Sequence, residues 1–358
     1  MENGMNKIRF LLTFILAFAL FAPSSASAKG GAPRFTGTFV QLWDTHATWD
    51  STRWNDLFAS LRAIGVTEVI VQWTTTQASG TQTSSPHTNP AQTHGMETGR
   101  TASAPVQLHP ALPLLLQAAE AQHMQIVLGL VHDPAYWDKI KAEPDIVRYY
   151  LRQLRNASLH TARAALLLPG SKNVVSGFYI PQEIDDKSWL EPERQEALVD
   201  CLTSLRAGLQ AVAPGLPVAI SGFSNAFAEP AILEQLWLTV LKKSGIERIL
   251  FQDGVGVHKL RIQETGLFMA AVSRAAQKAG GILTPVVETF RQVDGPPIND
   301  NPFRAVPASF SALQRQLVIA AAQPHTGIVA FSLPEYCSPY GIKGAADLYA
   351  QYKASFRR

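Results

Sequence analysis

Glu183 closes the run Phe178-Tyr179-Ile180-Pro181-Gln182-Glu183, and Glu288 closes Thr284-Pro285-Val286-Val287-Glu288. Each carboxylate ends a short apolar stretch of the kind that makes a β-strand. Two carboxylates facing one pocket can split a glycosidic bond, one protonating the leaving oxygen while the other attacks the sugar or activates water. Retaining enzymes hold the pair about 5–5.5 Å apart, and inverting enzymes about 6.5–9.5 Å, which leaves room for a water. Taken singly, either glutamate could instead cap a following helix or pair with an arginine. The chemistry requires that a fold bring the two together.

Along the chain, strand-like apolar runs alternate with amphipathic helical stretches, the pattern of repeated βα units around a parallel sheet. The strand candidates are 35–43, 68–74, 125–131, 177–183, 217–223, 248–253, 283–288 and 327–333. Helix candidates fall at 51–64, 110–122, 143–160, 191–212, 230–243, 264–279, 307–321 and 343–356, with starts marked by Asp50-Ser51 and by Glu191-Pro192-Glu193. An eightfold alternation predicts a single-domain α/β protein, a closed (β/α)8 TIM barrel, over residues 29–358. Gln41-Leu42-Trp43-Asp44 after the first strand has none of the glycines of a dinucleotide-binding open sheet. On this count Glu183 and Glu288 end strands four and seven, at the mouth where barrel enzymes keep their chemistry. Alternation along each strand puts Tyr179, Pro181 and Glu183 on one face, and Thr284, Val286 and Glu288 on one face of the other, each able to look inward.

Residues 1–28 have the anatomy of a secretory signal peptide: Lys7 and Arg9, an apolar run from Phe10 to Ala22, and Ala26-Ser27-Ala28 for cleavage. The expectation is a periplasmic or secreted bacterial protein with no stable membrane anchor after signal cleavage. Its removal takes Lys7, Arg9 and Glu2 and turns a formal charge of +3 into +2. So small and dispersed a charge gives no footprint for nucleic acid. Only Cys201 and Cys337 are present, neither with a CxxC neighbour, so a thiolate zinc site is not expected; sequence leaves their pairing open. No metal and no cofactor are predicted.

A sugar offers an apolar ring face and a polar rim. Trp43 and Trp73, ending strands one and two, could stack on it, and Tyr136, Trp137, Trp189, Phe290 and Tyr336 in later loops could extend the platform or merely plug the barrel. Gln182 is a further candidate for substrate contact, and Asp253 and Glu335 are candidates either for substrate contact or for supporting the residues that make it. His132-Asp133 and Asp185-Asp186 add polar groups at the same rim, His132 reading best as a hydrogen-bonded loop histidine. The stretch from Thr75 to His109 is either a wall over the pocket or an insertion without a role. His87, His94 and His109 within it lack metal-pair spacing and read as solvated.

The two-glutamate layout resembles the large clan of retaining glycosidases whose acid/base glutamate ends strand four and whose nucleophile ends strand seven. More closely, Gly37-Thr38-Phe39-Val40-Gln41-Leu42-Trp43, Val69-Ile70-Val71-Gln72-Trp73-Thr74 and Gly177-Phe178-Tyr179-Ile180-Pro181-Gln182-Glu183 are similar to a bacterial domain-of-unknown-function family regarded as glycosidase-like barrels. The resemblance implies an exported glycoside hydrolase acting on a polysaccharide or oligosaccharide, with Glu183 as a protonated acid/base and Glu288 as an ionised nucleophile. Two positions depart from the clan: Gln182 stands where asparagine usually contacts the sugar 2-hydroxyl, and strand eight carries Phe331 in a run without tryptophan. The alternatives are a non-catalytic glycan-binding barrel accessory to exopolysaccharide production or export, and a transglycosylase.

Overall fold

The computed structural model describes residues 32–76, 107–295 and 302–357. Runs rich in Val, Ile and Phe take extended backbone, where branched and aromatic side chains pack well on a pleated surface. They form β1 (Gly37–Gln41), β2 (Glu68–Gln72), β3 (Gln125–Gly129), β4 (Val175–Ile184), β5 (Val218–Gly222), β6 (Arg248–Gln252), β7 (Ile282–Glu288) and β8 (Val329–Phe331). Every adjacent pair is parallel, and the order β1-β8-β7-β6-β5-β4-β3-β2 closes into a barrel.

Parallel neighbours need a crossover, and amphipathic helices supply it. These are α1 (Ser51–Arg62), α2 (Leu112–Ala121), α3 (Pro144–Leu166), α4 (Pro192–Val212), α5 (Pro230–Ser244), α6 (Ile262–Ala279), α7 (Phe310–Ala321) and α8 (Ala345–Ala354). The expected starts are real: Asp50 accepts from Arg53 N at 2.8 Å, and Glu191 accepts from Glu193 N and Arg194 N at 2.9 Å. Short helices at Tyr136–Lys139 and Leu333–Tyr336, and a ribbon pairing Phe290–Gln292 with Ala305–Pro307, are too brief to leave a periodic signal.

Side-chain parity sorts the core into two parts. One residue from each strand (Phe39, Ile70, Val127, Tyr179, Ala219, Leu250, Val286 and Val329) fills the barrel interior. Phe178 and Ile180, of opposite parity, pack outward in the larger core with the helices. Below the interior layer Arg248 sends two forked hydrogen bonds of 2.7 Å to Glu68 and one of 2.8 Å to Thr284 Oγ1, closing the floor. Cys201 and Cys337 are both free. Residues 1–28, most of the 75–109 stretch, and His87 and His94 lie outside the described residues. Among the described residues no helix is long and apolar enough to cross a membrane.

Candidate active site

At the C-terminal ends of the strands the interior opens into a cleft of about 1140 Å³ with its mouth included. Glu183 and Glu288 both line it. Glu288 follows Val286 in parity, as alternation requires. The end of β4 is less regular: Ile180 pairs with Ile220 and Ile184 with Gly222, so four steps on β4 match two on β5. Pro181 has no N–H to continue the ladder, and such bulges are where proline is tolerated. The bulge brings Gln182 as well as Glu183 to the cleft, where strict alternation would separate them. Gln182 spends its amide donor on Val131 O at 2.7 Å.

The two carboxyls have different partners. Glu183 accepts from Gln252 Nε2 at 2.5 Å. Burial pushes its pKa up, opposed by the Lys259 cation and the Gln252 hydrogen bond, with Asp185 as the repelling neighbour. Glu288, only 3% exposed, accepts from Val257 N at 3.0 Å. Burial and then the charge of Asp253 raise its pKa, against the Val257 and Gly256 amides and Lys259. Gly256 is required by this approach, since a Cβ there would stand 2.9 Å from Glu288 Oε2 and 2.6 Å from Phe290 O. The raised carboxyl of Glu288 differs from the expectation of a plainly ionised partner: burial acts on both glutamates alike.

Aromatic side chains form the walls. Trp43 and Trp73 meet edge to face at 4.5 Å, and Trp73 continues to His132 at 5.5 Å. Trp73 holds φ at +59°, a left-handed conformation uncommon for a bulky residue and favoured by nothing local. Beyond β7 and β8 Phe290 packs on Tyr336 at 4.9 Å and Phe303 at 5.7 Å, and beyond β3 Trp137 meets Phe223 at 5.7 Å. Trp43, Trp73, Tyr136, Trp137, Phe290 and Tyr336 all reach the cleft. Trp189 does not: it is fully buried behind Tyr136, 6.5 Å from its ring.

Asp253 and Glu335 also stand behind the lining, so of the two roles expected for them the geometry leaves the supporting one and not substrate contact. Asp253 is 1% exposed and does not line the cleft; it accepts from Gln316 Nε2 at 2.8 Å and from the backbone N–H of Glu288 at 3.3 Å. It lies one residue beyond β6, with parity opposite to the inward Gln252, and so points behind Glu288. Glu335, also buried, bonds Ser332 Oγ and stands behind the wall. Asp185 and Asp186 organise a loop: Asp186 accepts from Ser224 Oγ and the N–H groups of Asn225, Phe227 and Ala228. Asp133 accepts from Lys139 Nζ, Tyr150 OH and Ala135 N, while the pKa of neighbouring His132 is lowered by burial to about 4, leaving a neutral ring in the cleft. His109 is not solvated but 3% exposed, its Nδ1 accepting from Ala111 N at 3.1 Å. Gln41, Gln72, Gln252, Lys259 and Phe331 line the cleft without having been expected there. Inward parity along β1, β2, β6 and β8 marks four of them; Lys259, in a loop, has no such mark. Among the described residues no group of three or more His, Cys, Asp or Glu is placed to hold a metal ion.

Residues 35–343 match the profile of a family described as "Domain of unknown function (DUF4434)". The chain belongs to the DUF4434 family. A relative in Escherichia coli (strain K12), "Uncharacterized protein YbcH", is 28% identical over 269 residues, covering 75% of this chain and 77% of that protein. The DUF4434 barrel is similar to the crystal structure of a "putative alpha-L-fucosidase" from Bacteroides thetaiotaomicron VPI-5482, with a TM-score of 0.67 at 18% identity over 91% of this chain and 96% of that one. It is also similar to a beta-galactosidase from the psychrophilic Marinomonas ef1, with a TM-score of 0.54 at 10% identity over 90% of this chain and 58% of that one. At such identities the likeness is one of fold.

Proposed function

We propose that this DUF4434 protein is an exported glycoside hydrolase that cleaves a polysaccharide or oligosaccharide by a retaining mechanism. The observation that carries the reading is the convergence of Glu183 and Glu288, from strand ends four and seven, on one aromatic-walled cleft. The fold likeness to barrels described as a "putative alpha-L-fucosidase" and a beta-galactosidase supports it, and export rests on the character of residues 1–28.

In the first step Glu288 attacks the anomeric carbon as the bond to the leaving oxygen breaks, and Glu183 delivers its proton to that oxygen. In the second, water attacks the same carbon, Glu183 takes its proton and Glu288 departs as carboxylate. Burial raises the pKa of Glu183, the direction that suits an acid. The Val257 and Gly256 amides favour the ionised form of Glu288 and so oppose its burial. Trp43 and Trp73 would stack on a sugar ring, with Trp137, Tyr336 and Gln182 extending the lining beside them.

The test is turnover of a panel of aryl glycosides and glycans, with the first-formed anomer followed by proton NMR. Retention of configuration is expected. Inversion would remove the nucleophile role of Glu288. Binding of oligosaccharides with no turnover of any would leave a glycan-binding barrel.

A further inference from the structure

We infer that Lys259 selects an acidic sugar, holding the carboxylate of a uronic acid in the cleft beside the two glutamates. The inference rests on the glycoside reading above and narrows its substrate class. Lys259 is the one lysine or arginine among the described residues that line the cleft, and the His132 beside Trp73 is neutral. Its Nζ lies 3.2 Å from the centroid of the Phe223 ring, which fixes the ammonium over an apolar face. Among the described residues no acceptor hydrogen-bonds to Nζ and no carboxylate comes within ion-pairing range of it.

The carboxylates whose charge Lys259 feels are Glu183, Glu288, Asp185 and Asp186. Each is committed elsewhere: Glu183 to Gln252, Glu288 to Val257 N, Asp185 to Ser188 N and Asn225, Asp186 to the loop 224–228. A desolvated ammonium with three unspent donors is costly unless something in the cleft receives them. The cleft also presents the neutral amides of Gln41, Gln72, Gln182 and Gln252, whose remaining donors and acceptors suit sugar hydroxyls. Positive charge also develops on the sugar ring as the glycosidic bond breaks. A fixed cation nearby opposes this for a neutral sugar, whereas a uronate brings the counter-charge with it.

The test uses matched 4-nitrophenyl glycosides, glucoside against glucuronide and galactoside against galacturonide, in both anomeric configurations. They are titrated calorimetrically into Glu288→Gln protein, which lacks the attacking carboxylate and binds without turnover. The acidic member of at least one pair should bind about tenfold tighter or more, as a hydrogen-bonded ion pair allows. That ratio should collapse in Glu288→Gln/Lys259→Met and persist in the Lys259→Arg counterpart, which also controls for folding. A neutral member that binds equally well, or a preference that survives Lys259→Met, overturns the assignment. If no member binds at all, the reading of the cleft as a glycan site fails, and this inference with it.

Discussion

The floor and the mouth of the barrel handle charge in opposite ways. At the floor Glu68 and Arg248 meet in a forked ion pair, with Thr284 on the remaining guanidinium donor. At the mouth Glu183 meets a neutral amide, Glu288 is crowded by Asp253, and Lys259 rests on a phenyl ring with no ion-pair partner among the described residues. The floor satisfies its charges with one another. The mouth leaves them to be satisfied by something that enters, as a site built for binding and turnover does at the expense of stability.

Isosteric substitutions sharpen the contrast. Glu68→Gln should destabilise the fold by about 2 kcal/mol or more in chemical denaturation, because it strips the counter-charge from a largely buried guanidinium. An unchanged midpoint would make the floor pair ornamental. Asp253→Asn should act on kinetics: removing the negative neighbour lowers the pKa of Glu288, so the acid limb of kcat/KM moves to lower pH. A limb that stays in place would mean that Asp253 does not govern the nucleophile.

The smallest effect has the opposite sign to the first. A carboxyl with a raised pKa in the folded state contributes stability that is present below its unfolded pKa and lost as pH rises toward the folded one. Glu288→Gln, which cannot ionise, should therefore be more stable than the parent near neutral pH by about 1 kcal/mol. The gain should vanish below about pH 4.5, the ordinary value for glutamate. Thermal melts at both pH values check this, and a destabilised variant at neutral pH would place Glu288 with the floor.

Much of this was legible in the sequence, for identifiable reasons. Each barrel strand and each long helix was announced by its own hydrophobic period, and the eightfold count then carried Glu183 and Glu288 to the same end of the barrel. The same alternation, extended one residue past β6, would have turned Asp253 away from the cleft and put Gln252 into it. Trp189 sits in a loop and Glu335 in a one-turn helix, where no period tells an inward side chain from a buried one. Lys259 was invisible for a related reason. Its place depends on a turn in which Lys259 N donates to Gly254 O at 2.8 Å and His258 adopts a positive φ of 61°, and neither feature follows from residue spacing.

The central claim is that Glu183 and Glu288 divide the labour of glycoside cleavage, and leaving-group dependence tests it most directly. Turnover of one aryl glycoside series, from dinitrophenyl to poor phenol leaving groups, is measured for the parent, Glu183→Gln and Glu288→Ala. Glu183→Gln should lose about 10²–10⁴-fold on substrates whose leaving oxygen needs a proton and much less on dinitrophenyl glycosides, while Glu288→Ala fails on all of them. Parental rates from either variant across the series would contradict it.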